Sequence, residues 1–120
     1  MEPRTEYAIQ QDHRDGMYDV LGSIARMESV LAGVKARVIA RITKHGRLVE
    51  DPKLAEQVIA SEIACLLRIP EATARALMTN SICAVDELPA TMDALESGEV
   101  SWRHVEKMVD HVSTLSLIHI

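Results

Sequence analysis

Residues 17–45 read MYDVLGSIARMESVLAGVKARVIARITKH, and large apolar side chains recur through them at Val20, Ile24, Met27, Leu31, Val34, Val38 and Ile42. Steps of four and three place all seven on one stripe of a helix with 3.6 residues per turn. Lys44 and His45 suit the negative end of the helix dipole, and Gly46 suits the left-handed residue that ends many helices. The spacing therefore predicts one helix over 17–45, about 40 Å long at 1.5 Å per residue. Such a helix is longer than a small domain is wide, so it needs a partner along its whole length. Gly22 and Gly33 inside it each cost about 1 kcal/mol relative to Ala, which points to close packing or a bend at those positions.

Outside this stretch the signals are shorter. Residues 1–15 are polar, mixed in charge and without period, and they end in Asp15-Gly16, a turn-type pair. They are expected to form a flexible arm ahead of a helical domain over 16–115. Asp51-Pro52 reads as an N-cap followed by a first-turn proline, opening a second helix with Leu54, Val58, Ile59, Ile63, Leu66 and Leu67 on its buried face. Pro70 interrupts it, and a third helix runs from about Glu71 to Val85 through Ala74, Leu77, Met78 and Ile82. A short fourth helix spans Ala90 to Ser97 and stops at Gly98. Ser101 then caps a fifth through Trp102, Val105, Met108, Val109 and Val112. No stretch alternates like a strand, so the fold class is all-α: one long amphipathic helix packed on about four shorter ones. Residues 116–120 end on an apolar run, which fits either a truncated reading frame or a terminus docked into the core.

Composition sets the outer limits. The 120 residues carry 13 Lys and Arg against 18 Asp and Glu, a formal net charge of -5, and 48% of them are apolar. That excludes a disordered tail and a coat of single-sign charge. Phe is absent and Trp occurs once, so Leu, Ile, Val, Met and Ala must fill the core. Two cysteines eighteen positions apart form neither a disulfide framework nor a metal pair, and there is no signal sequence or membrane-length apolar run. A cytoplasmic protein with no membrane partner is expected.

Three constellations bear on function. Residues 61–77, SEIACLLRIPEATARAL, have the small contact residue (Ala64), the apolar supports (Ile63, Leu67, Ile69, Ala74, Leu77) and the short turn of a helix-turn-helix. On that reading Thr73, Arg75 and Thr79 reach double-stranded DNA, although Arg68 and Pro70 fill a turn where Gly is common and Glu71 repels phosphate. Two packed helices without a ligand explain the same residues. Charge is also divided: residues 1–50 carry 8 basic and 7 acidic side chains, residues 51–120 carry 5 and 11. Lys35, Arg37, Arg41, Lys44 and Arg47 form a run with no acid between Glu28 and Glu50. Arg37, Arg41 and Lys44 share one helix face that could follow a phosphate backbone, serve as a solvated face, or pair with the acidic half. Finally, His104 and His111 lie too far apart on one helix to hold a single ion, and no nucleophile elbow, phosphate loop or HExxH is present. No catalytic residue, metal site, cofactor or small-molecule substrate is assigned.

From Ser61 to Val112 the chain resembles a known family, the helical domain of unknown function 222, which precedes an HNH endonuclease module in actinobacterial proteins. EIACLLRIPEATARAL carries the resemblance, followed in order by Leu88-Pro89, Leu95, Gly98-Glu99-Val100-Ser101 and His104, with VLAGVKARVIARI similar to the family's first helix. The paired His and Asn of the nuclease module have no counterpart here. The resemblance implies a non-catalytic helical module of an HNH endonuclease-like protein that associates with DNA. The alternative is an interaction module whose long helix pairs with itself as a homodimer, or with a missing C-terminal part, through Ile24, Met27, Leu31, Val34 and Val38.

Overall fold

The computed structural model describes residues 5–49 and 51–118. All of its regular structure is helical: α1 (Glu6–Val49), α2 (Pro52–Leu67), α3 (Glu71–Glu87), α4 (Pro89–Glu96) and α5 (Trp102–Ile118). The body is an assembly of α2 to α5 against the C-terminal half of α1, with α3 at its centre touching all four other helices. Two buried clusters hold it. Ile39, Ala55, Ile59, Ile63, Ala74 and Met78 join α1, α2 and α3. Ala36, Ala84, Met92, Leu95, Val105 and Val109 join α1 to α3, α4 and α5.

Several helix boundaries have a local cause. Thr5 starts α1 by accepting a hydrogen bond from the Ala8 amide (3.1 Å), which satisfies one of the orphan donors of the first turn. Of the arm expected over 1–15, residues 6–15 are helix continuous with the rest of α1 and residues 1–4 lie outside the described residues; Asp15-Gly16 costs helix propensity but lies within an unbroken helix. Asp51 caps α2 through the Leu54 amide (3.4 Å) ahead of Pro52, and Ser101 caps α5 through His104 (3.3 Å). Gly98, with φ of 83°, takes the left-handed conformation just after α4.

Gly46 does not end α1, which runs on to Val49. The missing side chain serves packing instead: a Cβ at Gly46 would lie 2.5 Å from Ile59 Cδ1 and 3.6 Å from Ala55 Cβ on α2. At Gly33 a Cβ would lie 2.8 Å from Glu96 Cγ, so α4 crosses α1 there. Gly22 meets only the tip of Arg26, and no second helix packs on it. The face that α1 buries consists of Ser29, Gly33, Ala36, Ile39, Ala40 and Thr43. Ser29 and Thr43 satisfy their hydroxyls on the carbonyls one turn back, Ala25 (3.2 Å) and Ile39 (2.8 Å), so they pack as small residues.

Two expectations about burial need correction. The seven-residue stripe on α1 does not face the core: Val20, Ile24, Met27, Leu31, Val34, Val38 and Ile42 all keep 40–65% of their surface. It lies two residues out of phase with the small-residue face, about 160° around the helix. On α2, Ile59 and Ile63 are buried as expected, but Leu54, Val58, Leu66 and Leu67 are exposed and Ala55, Ala60 and Ala64 take their places. At the other end Ser116 and Leu117 are exposed, so these two are not docked into the core; residues 119 and 120 lie outside the described residues.

Candidate functional site

At 44 residues α1 is about 66 Å long, and it dominates a molecule 74 Å in its longest dimension. Its first buried residue is Ser29, and every residue from Ile9 to Leu21 is exposed, so this N-terminal stretch stands clear of the body, which α1 first meets near Arg26. Along the outer face of the middle of the rod runs the stripe from Val20 to Ile42, about 33 Å by roughly one helix diameter. Leu21 and Val30 flank it, both exposed. An unbroken apolar strip of some hundreds of Å² is at the upper end of the exposed patches found on soluble monomers. The predicted pairing residues Ile24, Met27, Leu31, Val34 and Val38 all lie within it. Leu21 and Val30 are absent from that set because they fall one step off the four-three rhythm; their signal is apolar character beside the seam.

Beside the stripe a groove of about 650 Å³ separates Glu28, Leu31 and Lys35 of α1 from Val100 and Trp102 at the start of α5. Gly98 lets the wall approach: its Cβ position is 3.2 Å from Arg26 Cβ. The groove is half-open to solvent and widens the apolar surface next to Leu31.

The basic run is divided by its partners. Arg37 donates to Glu96 Oε1 of α4 through Nε (2.7 Å) and Nη2, and this hydrogen-bonded carboxylate holds the guanidinium pKa above its ordinary value. Lys44 pairs with Asp86 of α3. Both pairs clasp α1 to the acidic half of the chain. Lys35, Arg41 and Arg47 are exposed and have no ion-pair partner among the described residues.

The helix-turn-helix segment has its two helices and a three-residue turn, Arg68 to Pro70. Arg68 is left-handed (φ 58°), and the Ile69 amide bonds back to the Ala64 carbonyl at 3.0 Å, a turn usually given to Gly. Ile63, Ala64 and Ala74 are buried and Ile69 and Leu77 half-buried, while Leu67 is exposed. Thr73 and Thr79 are exposed, and Arg75 is half-buried 3.8 Å from Glu56. Thr73 lies about 160° around α3 from Arg75, so the three do not form one reading face. Glu71 accepts from the Ser61 hydroxyl, tying the start of α3 to α2.

Among the described residues no three His, Cys, Asp or Glu side chains converge where they could hold an ion, and no helix is long and apolar enough to cross a membrane. Cys83 is half-buried and donates to Glu87 Oε2 (3.3 Å); burial, then that hydrogen bond and the charges of Glu87 and Asp86, push its thiol up to about 11. It is a protonated packing residue at neutral pH. No protein-family model, curated protein or solved structure matches the chain.

Proposed function

We propose that this chain is a non-catalytic helical assembly module, in which α2 to α5 hold one side of α1 and leave its large apolar face for a helical protein partner. The observation that carries the reading is the inversion of α1: small residues face the core, large ones face water. Covering what remains exposed of one Leu, Ile, Val or Met contributes about 1 kcal/mol, so two seven-residue faces together contribute about 14 kcal/mol. Association costs about 4–15 kcal/mol in lost freedom, so the surplus is at most about 10 kcal/mol and the complex is expected to be reversible.

The test places a photo-crosslinking residue at Val34, on the stripe, or at Thr79, off it, in the cell that makes the protein. Crosslinking from Val34 alone, to a partner identified by mass spectrometry, is expected. Equal crosslinking from both positions, or none, overturns the reading.

A second reading, association with duplex DNA, is favoured by the exposed Lys35, Arg41 and Arg47 and by the resemblance to domain of unknown function 222 with its downstream HNH module. On that reading the chain would position a nuclease carried elsewhere in a longer protein. Fluorescence anisotropy on duplex DNA tests it: binding should weaken steeply with salt and vanish in Lys35→Glu plus Arg41→Glu. No binding at low salt removes it.

A further inference from the structure

We propose that the partner is a second copy of this chain, and that the two α1 helices pair antiparallel through their outer faces with residue 29 at the two-fold axis. The proposal rests on the assembly reading above and adds the identity and direction of the partner. Two independent patterns in α1 converge on the same centre.

The first is apolar. In a seam of heptads, Met17, Ile24, Leu31 and Val38 fall at one core position and Val20, Met27, Val34 and Arg41 at the other. Antiparallel layers pair one kind with the other. Centred on residue 29, Met27 meets the second copy's Leu31, Ile24 meets its Val34, and Val20 meets its Val38, each twice by symmetry. Arg41 then lies beside Met17 at each end, where its stem covers the thioether and its guanidinium reaches water. All of these side chains that belong to the stripe are already exposed, so α1 keeps its contacts with the body.

The second is charge. Residues 6–28 of α1 carry Glu6, Asp12, Asp15, Asp19 and Glu28 against Arg14 and Arg26, a formal -3. Residues 29–49 carry Lys35, Arg37, Arg41, Lys44 and Arg47 and no acid, a formal +5, and +3 when Arg37 and Lys44 are discounted for their ion pairs within the body. The last acid is Glu28 and the basic run begins at Lys35, so the sign changes within 29–34, close to the centre of the apolar register. Antiparallel pairing lays each acidic half on a basic half. Parallel pairing stacks like on like and sets Arg41 against Arg41, so it is disfavoured by the same residues.

Sedimentation equilibrium on the full chain should give a species of twice 13.3 kDa that weakens as salt rises. Leu31→Glu should raise the dissociation constant at least about 100-fold by placing a charge in the seam, with the helical circular dichroism unchanged because Leu31 lies outside the core. Orientation is read by pulsed electron resonance with one nitroxide at His45→Cys in a Cys65→Ser, Cys83→Ser background. Antiparallel pairing puts the labels about 50 Å apart and parallel pairing within about 20 Å. A wild-type monomer at high concentration, a dimer that survives Leu31→Glu, or the short distance overturns the proposal. If the purified chain is monomeric while Val34 crosslinks to a different protein in the cell, the second copy falls and the assembly reading stands. If Val34 crosslinks to nothing, both fall.

Discussion

Substituting Gly33 by Ala tests which side of α1 is the inside. Two effects oppose each other. Ala lowers the cost of a helix interior by about 1 kcal/mol relative to Gly. Against that, the new Cβ would lie 2.8 Å from Glu96 Cγ, 3.6 Å from Glu96 Cα and 3.7 Å from Leu95 Cδ2, where carbon atoms settle at about 3.5–4.0 Å. The Glu96 stem has to move by several tenths of an ångström, and the α4 backbone with the fully buried Leu95 behind it limits the retreat. Overpacking of this kind costs about 1–3 kcal/mol. Swinging Glu96 also loosens its half-exposed pair with Arg37, worth about 0.5 kcal/mol. The contact wins over propensity, and Gly33→Ala is expected to destabilise by about 1–2 kcal/mol. Gly22→Ala is the control, since its Cβ would meet only Arg26 Nη1 at 3.9 Å; it should be neutral or stabilising. Urea unfolding followed by circular dichroism at fixed protein concentration would show the difference as a midpoint shift of about 1 M or less. Glu96→Ala removes the clashing atom, so the double variant should recover about 1 kcal/mol beyond additivity. If Gly33→Ala is as stable as Gly22→Ala, or the pair is additive, α4 does not close on this side of α1 and the outward placement of the stripe loses its foundation.

Three further outcomes follow from single residues. Arg68→Gly should stabilise by about 0.5–1 kcal/mol, a melting temperature a few degrees higher, because the left-handed penalty of a Cβ exceeds the added chain entropy of Gly; a fall would mean that the arginine side chain is worth more than its strained backbone. Ser81 is fully buried in α3, and its hydroxyl has no hydrogen-bond partner among the described residues, so Ser81→Ala should be neutral or stabilise by up to about 1 kcal/mol. A clear loss would reveal a partner for that oxygen. With Cys65 replaced by Ser, the Cys83 thiol, pushed up to about 11, should be alkylated at pH 8 far more slowly than a peptide cysteine of pKa about 8.5, and Glu87→Gln should speed it. Because the folded pKa is the higher one, the neutral thiol favours the fold: the contribution is full below about pH 8.5 and is lost as the pH rises through about 11.

The sequence made most of the helices legible and concealed the way the longest one is turned. Caps and breakers are local chemistry: Asp51-Pro52, Pro70, Gly98 and Ser101 act through one or two hydrogen bonds or a single φ angle, so reading them needs no knowledge of neighbours. Gly46 shows where that locality ends. A glycine after the dipole-matched Lys44 and His45 is an ordinary stop signal, yet here it is required by Ile59 of another helix, and nothing within 40–49 records that contact. Thr5 was hidden for the converse reason, since a cap before a polar segment carries no apolar period to announce it.

The orientation of α1 was concealed by the weight that large side chains carry in any hydrophobic count. Ala36, Ala40 and Gly33 contribute little transfer free energy each, so a moment summed over the helix points toward Leu31 and Val34. The packing energy comes from how closely the backbones approach, and small residues allow the closest approach with Ile39 and Thr43 filling the remainder. A helix with both kinds of face has two uses for them. The small face suits a permanent contact made within one chain, where no freedom of association is lost. The large face suits a contact made between chains, where each buried side chain must offset that loss. The seven-residue stripe is therefore the same signal under either orientation, and the body decides its meaning by having already covered the other side.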